Sequence, residues 1–157
     1  MKRGWDFLLR PSVPESVFQG AWLFYRVAIG LAMFGIHGLE KLTNFSGTVA
    51  HIPDPFGLGS TVSTLIALLA SVTGAFGVML GLFTRLSALF VVGVTLVGLV
   101  VVHANDPWSV KDVPLMYSLA FGLVAVRGGG RYSIDHRLYR RVRSAVRSRN
   151  VREVQKA

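Results

Sequence analysis

Three ionisable side chains, Arg26, His37 and His103, lie within or at the edge of long uncharged stretches. Arg26 and His37 share one stretch. On a helix their separation is a rotation of about 1100°, or 20° from the same face, and a rise of about 16 Å. Imidazoles from two different stretches could ligate a haem or another metal, or hydrogen-bond a quinone. The sequence therefore predicts Arg26, His37 and His103 as cofactor-binding residues, with quinone or haem as possible cofactors.

Each of these residues also has a structural interpretation. A buried Arg26 could extend toward lipid phosphates or bind backbone carbonyls, and interfacial histidines could contact only water and lipid head groups. No HxxxH or ExxH spacing is present, so we predict no metal site. The sequence contains no P-loop, no GxSxG and no paired buried carboxylates, and it identifies no catalytic residue. The absence of cysteine excludes a disulfide, a Cys-ligated metal and a thiol relay within this chain.

Four long apolar segments must position these side chains. A helix needs roughly 20 apolar residues to cross a hydrocarbon layer about 30 Å thick. The first segment is interrupted only by Arg26 and His37. The segments are 16–39, 55–84, 86–102 and 113–126. With a mean hydropathy of +0.50, the chain is predicted to be an all-α integral membrane four-helix bundle.

The ends of these spans follow from turn residues and charges. We expect helices over about 17–42, 60–83, 86–103 and 113–126, with a tight turn at Thr84 and Arg85. The segment 43–59 is predicted to be a loop because it is rich in glycine and proline. The fourth span has only 14 uncharged residues, enough for about 21 Å of helix. Three spans and a buried half-helix are therefore the alternative.

The charge distribution predicts the orientation in a cell membrane. Four spans place both termini on one side. That side receives most of the basic residues, namely Lys2, Arg3, Arg10, Arg85 and the nine Arg and one Lys of 127–157. The other side receives only Lys41 and Lys111. The positive-inside rule therefore predicts a multi-pass protein of the cytoplasmic membrane with both termini in the cytoplasm.

The basic C-terminal region is predicted to be a separate unit. Ser133 is a plausible N-cap, and apolar residues then recur at helical spacing between arginines, which predicts an amphipathic cytoplasmic helix. We divide the chain into a transmembrane domain, 1–136, and a tail, 137–157. Because the tail directly follows an apolar span, we expect it to contact anionic lipid head groups, and we predict no nucleic-acid partner.

Several motifs along the chain resemble those of the DoxX family of small four-helix membrane proteins. These are Arg26-Val-Ala-Ile-Gly30 with Gly38-Leu-Glu-Lys41-Leu42, then Gly81-Leu-Phe-Thr-Arg85, and finally Gly128-Gly-Gly-Arg-Tyr-Ser-Ile-Asp135. They occur in the family's order.

Small residues in the second span also allow close helix packing. The positions assigned structural roles are Gly30, Gly38, Lys41, Gly74, Gly81, Arg85, Tyr132 and Asp135. Many relatives carry a glutamate near the position of Ser71.

The resemblance implies a bacterial or archaeal membrane protein associated with quinone-linked oxidases or thiosulfate:quinone oxidoreductases. We therefore expect a membrane subunit or accessory of a quinone- or haem-linked redox complex, with other subunits as partners. Whether the chain is itself an enzyme stays open. One alternative is a non-catalytic scaffold that recruits soluble partners through the basic tail. Another is a small-solute or lipid carrier, for which a homo-oligomer could form the pathway, although the chain has no internal repeat.

Overall fold

The computed structural model describes residues 13–154, with side chains to residue 147. The basic residues Lys2, Arg3 and Arg10 lie outside this range, as does the end of the tail. Every regular element in the described range is a helix, which confirms the all-α prediction. The helices are α1 (Glu15–Thr43), α2 (Phe45–His51), α3 (Ser60–Leu80), α4 (Thr84–Val102), α5 (Trp108–Arg127) and α6 (Ile134–Val154).

Four of these helices, α1, α3, α4 and α5, are long and apolar enough to span a membrane. Helix α5 has 20 residues and is therefore about 30 Å long. It begins at Trp108 rather than at Val113, and Lys111 lies in its first turn with its ammonium donating to the Ala104 carbonyl. Since charges at a helix end can reach water, Lys111 and Asp112 do not shorten the span. The protein has four spans, and the three-span alternative is wrong.

Two predicted boundaries differ from the structure. Thr84 and Arg85 are the first residues of α4, not a turn, and the chain reverses at Gly81–Phe83, where Gly81 and Phe83 have φ of 70° and 45°. The predicted loop 43–59 contains the short helix α2, whose first turn is capped by Asn44 Oδ1 accepting from the Gly47 N–H at 3.2 Å. The remainder of that loop, 52–59, has no regular structure.

Helices that are neighbours in the sequence are also neighbours in space. Helix α1 packs on α3, α3 on α4, and α4 along most of α5, whereas α1 and α5 touch less. We call the end with Glu15, Leu80, Thr84 and Arg127 the terminal end, and the other the loop end. The core of the bundle is Trp22, Met33, Ala75, Val78, Ala88, Val91, Phe121 and Val124.

Small residues bring α1 and α3 close together. A Cβ added at Gly38 would lie 2.9 Å from the Ser71 carbonyl oxygen, and one added at Gly30 would lie 3.1 Å from the Ala75 carbonyl oxygen. Gly74 has the same relation to α4, because its Cβ would lie 2.7 Å from the Val91 side chain. These contacts are what close packing of transmembrane helices requires.

Three of the spans contain a π-helical segment. The segments are Met33–Gly38 in α1, Ala70–Gly74 in α3 and Gly98–Val102 in α4. π-helical turns are rare and are frequently found at functional sites. We therefore expect a functional site beside these three segments of α1, α3 and α4.

Candidate functional site

Polar side chains gather at both ends of the bundle, and Arg26 belongs to the terminal end. Its side chain is fully buried. Nη1 donates to the Val78 and Met79 carbonyls at 2.7 and 3.4 Å, and Nη2 donates to the Tyr132 carbonyl at 3.4 Å. Nε has no partner in the described part of the chain. Arg26 therefore connects α1 to the last turn of α3 and to the segment before α6, and it does so by binding backbone carbonyls.

Asp135 forms the second part of this terminal-end network. Its carboxylate accepts from the Phe83 and Thr84 N–H groups, both at 2.8 Å, and from the Thr84 hydroxyl at 2.6 Å. Its own N–H donates to the Gly81 carbonyl at 2.9 Å. The carboxylate thus caps α4 from a position 51 residues away in the sequence. It also interacts electrostatically with the Arg26 guanidinium.

Gly81 makes this arrangement possible. A Cβ at this position would lie 2.5 Å from Ser133 Cβ and 2.7 Å from Arg26 Nη1. Ser133 itself caps α6, since its hydroxyl oxygen accepts from the His136 N–H at 3.1 Å, as the sequence predicted. The exposed Arg85 reaches the Val126 carbonyl at 3.4 Å. The motif residues Arg26, Gly81 and Asp135 therefore meet at one place, and their contacts there are with the protein itself.

The loop end is different, because it encloses a cavity of about 700 Å³. This volume lies within the range typical of small-molecule sites. Its walls come from all four spans and the loop after α2, and most of the lining side chains are apolar. All three π-helical segments contribute, through Met33, His37, Ala70, Ser71, Gly98 and Val102. The polar lining residues are His37, Lys41, Ser63, Ser71, Thr95, His103 and Tyr117.

His37, Lys41 and Tyr117 form the polar group on the α1 side of this cavity. The Lys41 ammonium donates to the His37 carbonyl at 2.8 Å. The His37 ring packs edge-on against Tyr117, with 5.3 Å between ring centroids. Within residues 13–147, no hydrogen-bond partner is found for the His37 ring nitrogens or the Tyr117 hydroxyl. This group, which we call the head cluster, can therefore bind a polar ligand group.

The other polar lining groups are already partly engaged. His103 stands at the end of α4, where its Nδ1 lies 2.7 Å from an Asp106 carboxylate oxygen. The Ser71 hydroxyl donates to the Ala67 carbonyl at 2.7 Å, and the Thr95 and Ser118 hydroxyls are 2.8 Å apart. These polar groups are already hydrogen-bonded within the protein, so most of them have less capacity left to bind a ligand. His103 is the exception, because its second ring nitrogen remains available on the cavity rim.

The loop 52–59 covers part of the cavity and is held by Asp54. The Asp54 carboxylate accepts from the Gly59 N–H at 2.7 Å, the Leu58 N–H at 3.1 Å and the Ser63 hydroxyl at 2.9 Å. These bonds, above all that from the Gly59 N–H, hold the pKa of Asp54 below its ordinary value because they stabilise the charged carboxylate. Ile52, Pro55, Phe56 and Leu58 from this loop line the cavity.

The structure thus divides the three predicted cofactor-binding residues. His37 and His103 line the same cavity, whereas Arg26 lies in the terminal-end network. Lys41 was predicted to have a structural role, and in the structure it also lines the cavity. Tyr117 is not among the site residues predicted from the sequence, although a phenol inside an otherwise apolar span needs a polar partner and can indicate a site. In the described residues no group of three or more His, Asp or Glu side chains is placed to hold a metal ion.

Comparisons with known proteins fit this architecture. The family model described as DoxX matches residues 21–104. The inner membrane protein YqjF of Escherichia coli (strain K12) is 32% identical over 110 residues, which cover 68% of this chain and 83% of that protein. No solved structure shows a significant match. The four apolar spans and these two matches establish that the chain is a multi-pass membrane protein that belongs to the DoxX family.

Proposed function

We propose that the protein is a membrane subunit or accessory of a quinone-linked redox complex and that it binds the quinone head group in the loop-end cavity. The single observation that carries this proposal is the head cluster. His37, Lys41 and Tyr117 present unused hydrogen-bonding capacity inside a mostly apolar cavity within the membrane span. An apolar pocket with a few convergent polar groups is the usual form of a small-molecule site.

The head cluster suits a ligand with carbonyl groups. The Lys41 ammonium has three protons, of which the His37 carbonyl uses one, so it can donate to a ligand carbonyl. The Tyr117 hydroxyl and the His37 ring can each donate or accept and can hold a proton beside the ligand oxygen. A bound quinone would supply electron transfer coupled to proton uptake and release. Apolar walls from α3 and α4 would exclude water from the flat ring.

A haem is the alternative occupant, since two imidazoles line the cavity. His103 has the carboxylate partner on Nδ1 that ligating histidines commonly have. His37 has no such partner in the described range, and its ring packs against Tyr117. The surroundings of His103 would therefore suit an iron ligand and those of His37 would not, whereas the three groups of the head cluster all suit a quinone carbonyl.

The proposal is tested by what the purified protein retains. We expect preparation in mild detergent to yield extractable quinone and no haem absorbance in the visible spectrum. Lys41→Met should lower the affinity for quinone about tenfold or more, the usual value of a hydrogen bond from a charged group. Lys111→Met is the matched control, because Lys111 also donates to a carbonyl at the loop end but does not line the cavity.

A protein that contains no quinone and cannot be loaded with it would contradict the proposal. A haem spectrum lost in His37→Ala and His103→Ala would establish the alternative cofactor.

Mass spectrometry of proteins that co-purify would test the second half of the proposal. Redox subunits that remain bound in mild detergent would support a complex, whereas a chain that purifies alone with its quinone would argue for an independent role.

The basic helix α6 favours a second candidate function, that of a scaffold at the membrane surface. Leu138, Val142 and Val146 recur at four-residue spacing along one side of α6 and are exposed, and arginines occupy the positions between them. Such a helix is typical of segments that lie on an anionic membrane surface. We propose that this tail, 137–157, lies on the cytoplasmic leaflet, with both termini in the cytoplasm, and recruits soluble partners there.

The absence of cysteine makes this second candidate easy to test. A polarity-sensitive dye on Val142→Cys should report an apolar environment in vesicles that contain anionic lipid and a wetter one in neutral vesicles. The same dye on Ser144→Cys, about 200° around the helix, is the matched control and should report water in both. Equal signals from the two positions would contradict a surface-lying helix. A reporter fused after residue 157 tests the orientation.

A further inference from the structure

We propose that the cavity continues into a hydrocarbon-tail subsite between α3 and α4, which runs from Gly93 at the middle of α4 toward the loop end and through which the ligand enters from the lipid. This inference rests on the proposed quinone function. It adds that the ligand of the head cluster is a membrane lipid with a long apolar tail, and that Gly93 lies where this tail passes through the wall.

The first observation is that α3 and α4 separate toward the loop end. Their terminal-end halves pack directly on each other. The loop-end half of α3, Ser60–Leu69, instead packs against α2 and the end of α1, while Gly98–Val102 of α4 packs against α5 and the rest of α4. A gap between two diverging helices is therefore built into the fold at this level.

The second observation is that some residues both line the cavity and face outward. On α3 this is Ile66, which is 37% exposed. On α4 this is Gly93, which is exposed and lines the cavity at the middle of the helix. Both are apolar, so the opening offers no polar group to a water-soluble ligand.

The third observation is the depth of this opening. Gly93 is nine residues from the start of α4, which places it about 14 Å from the terminal end. Ile66 is six residues from the start of α3, which places it about 9 Å from the loop end. Both positions lie within the span of a hydrocarbon layer. The opening thus faces acyl chains, and its natural occupant is a hydrocarbon tail.

Gly93 borders open space beside the cavity lining. A Cβ added there would meet nothing within 4 Å, so the backbone borders open space. By contrast, Gly74 on the closed part of the α3–α4 contact has the Val91 side chain 2.7 Å from its added Cβ. A side chain can therefore start at Gly93 without meeting a neighbouring helix at its Cβ, and we expect a large one to narrow the opening. The position is therefore well suited to a blocking substitution.

The test compares two quinones and two variants in detergent or nanodiscs. One quinone is a decyl-substituted benzoquinone, and the other carries a methyl group in place of the decyl chain. We expect Gly93→Trp to weaken the decyl quinone about tenfold or more, which corresponds to roughly two methylene groups left unburied. The methyl quinone should keep its affinity. Gly122→Trp is the matched control, because its Cβ also meets nothing within 4 Å and Gly122 does not line the cavity.

Each outcome has a definite meaning. Equal affinities for the decyl quinone in Gly93→Trp and wild type, or an equal loss for both quinones in Gly93→Trp, would overturn the tail subsite and leave the proposed function standing. A wild-type protein that binds neither quinone would overturn both. A phospholipid that co-purifies and that the decyl quinone does not displace would show that the opening belongs to another lipid.

A second measurement does not depend on a bulky variant. In Gly93→Cys the new thiol is the only one in the chain, so its alkylation by a lipid-soluble maleimide reports access from the hydrocarbon phase. We expect the decyl quinone to slow this alkylation and the methyl quinone to leave it unchanged, with Gly122→Cys unaffected by either. Alkylation of Gly93→Cys that is insensitive to the decyl quinone would overturn the subsite.

Discussion

The two ends of this bundle treat buried polar groups in opposite ways. At the terminal end, the Arg26 guanidinium and the Asp135 carboxylate bind backbone groups of α3, α4 and the segment before α6, and among the described residues only Nε of Arg26 is left without a partner there. At the loop end, the His37 ring and the Tyr117 hydroxyl face a cavity without partners among the described residues. A buried charge is thus not by itself a functional site, and unused bonding capacity is the better indicator.

This comparison separates stability from ligand binding. Changes at the terminal end should destabilise the fold and affect ligand binding only through folding. Changes at the head cluster should weaken ligand binding and leave stability nearly unchanged.

Arg26→Met should be the most destabilising single change. It removes the guanidinium donor from the Val78, Met79 and Tyr132 carbonyls, of which Val78 keeps the Gly81 N–H, and it removes the charge that faces Asp135. We expect a loss of about 3–5 kcal/mol in the free energy of unfolding, the usual cost of breaking a buried charged contact. The measurement is unfolding in mixed detergent micelles. Arg85→Met is the control and should cost less than about 1 kcal/mol, since Arg85 is exposed. Similar losses for both would contradict the comparison.

Gly81→Ala should come next. The added methyl group would lie 2.5 Å from Ser133 Cβ, and the backbone at φ of 70° disfavours any side chain. Strain and overpacking together should cost about 2–4 kcal/mol. Gly122→Ala, made on a helix with open space at the new Cβ, should be neutral or slightly stabilising. Thermal unfolding of the two variants side by side measures the difference, and an unchanged Gly81→Ala would show that the α3–α4 turn tolerates other conformations.

Asp135→Ala should have a moderate effect. It removes the cap from the Phe83 and Thr84 N–H groups and from the Thr84 hydroxyl, which should cost about 1–2 kcal/mol. The exposed Asp112 offers a matched control through Asp112→Ala. Hydrogen exchange should locate the loss of protection in the first turn of α4. Uniform exchange across the bundle, without a local maximum there, would contradict a capping role.

The smallest effect is expected in the loop that covers the cavity. Bonds from the Gly59 and Leu58 N–H groups lower the pKa of Asp54, so the carboxylate stabilises this loop at all pH values above its ordinary pKa. That contribution is lost as the pH falls through the lowered value. Proteolysis of the loop should therefore be constant near neutral pH in the wild type and faster in Asp54→Asn. Equal cleavage of Asp54→Asn and wild type would show that Asp54 does not hold the loop.

Most of the fold could be predicted because lipid imposes a simple pattern. The long uncharged runs gave four spans, and small residues in α3 indicated close packing. The start of α5 was misplaced because Lys111 and Asp112 resemble loop residues, although at a helix end they reach water. The turn before α4 was misplaced because the carboxylate that fixes it, Asp135, is distant in the sequence. No local pattern in the sequence marks the π-helical segments.

The site was predictable only in part for the same reason. His37 and His103 were identified by residue type and position, and the cavity brings both to its lining. Arg26 has the same chemical character, but its hydrogen-bond partners come from α3 and the segment before α6, which the sequence of α1 does not reveal. Lys41 and Tyr117 become ligand-binding candidates only when α1 and α5 are placed side by side.

The most direct test of this division is the thermal unfolding midpoint of wild type, Lys41→Met and Arg26→Met, each measured with and without the decyl quinone. A ligand that binds only the folded state raises this midpoint. We predict that quinone raises it for wild type and for Arg26→Met, whose own midpoint is low. In Lys41→Met we predict a normal midpoint that quinone raises clearly less than it raises the wild-type midpoint at the same quinone concentration. A full quinone response in Lys41→Met, together with its loss in an Arg26→Met protein that still folds, would contradict the account.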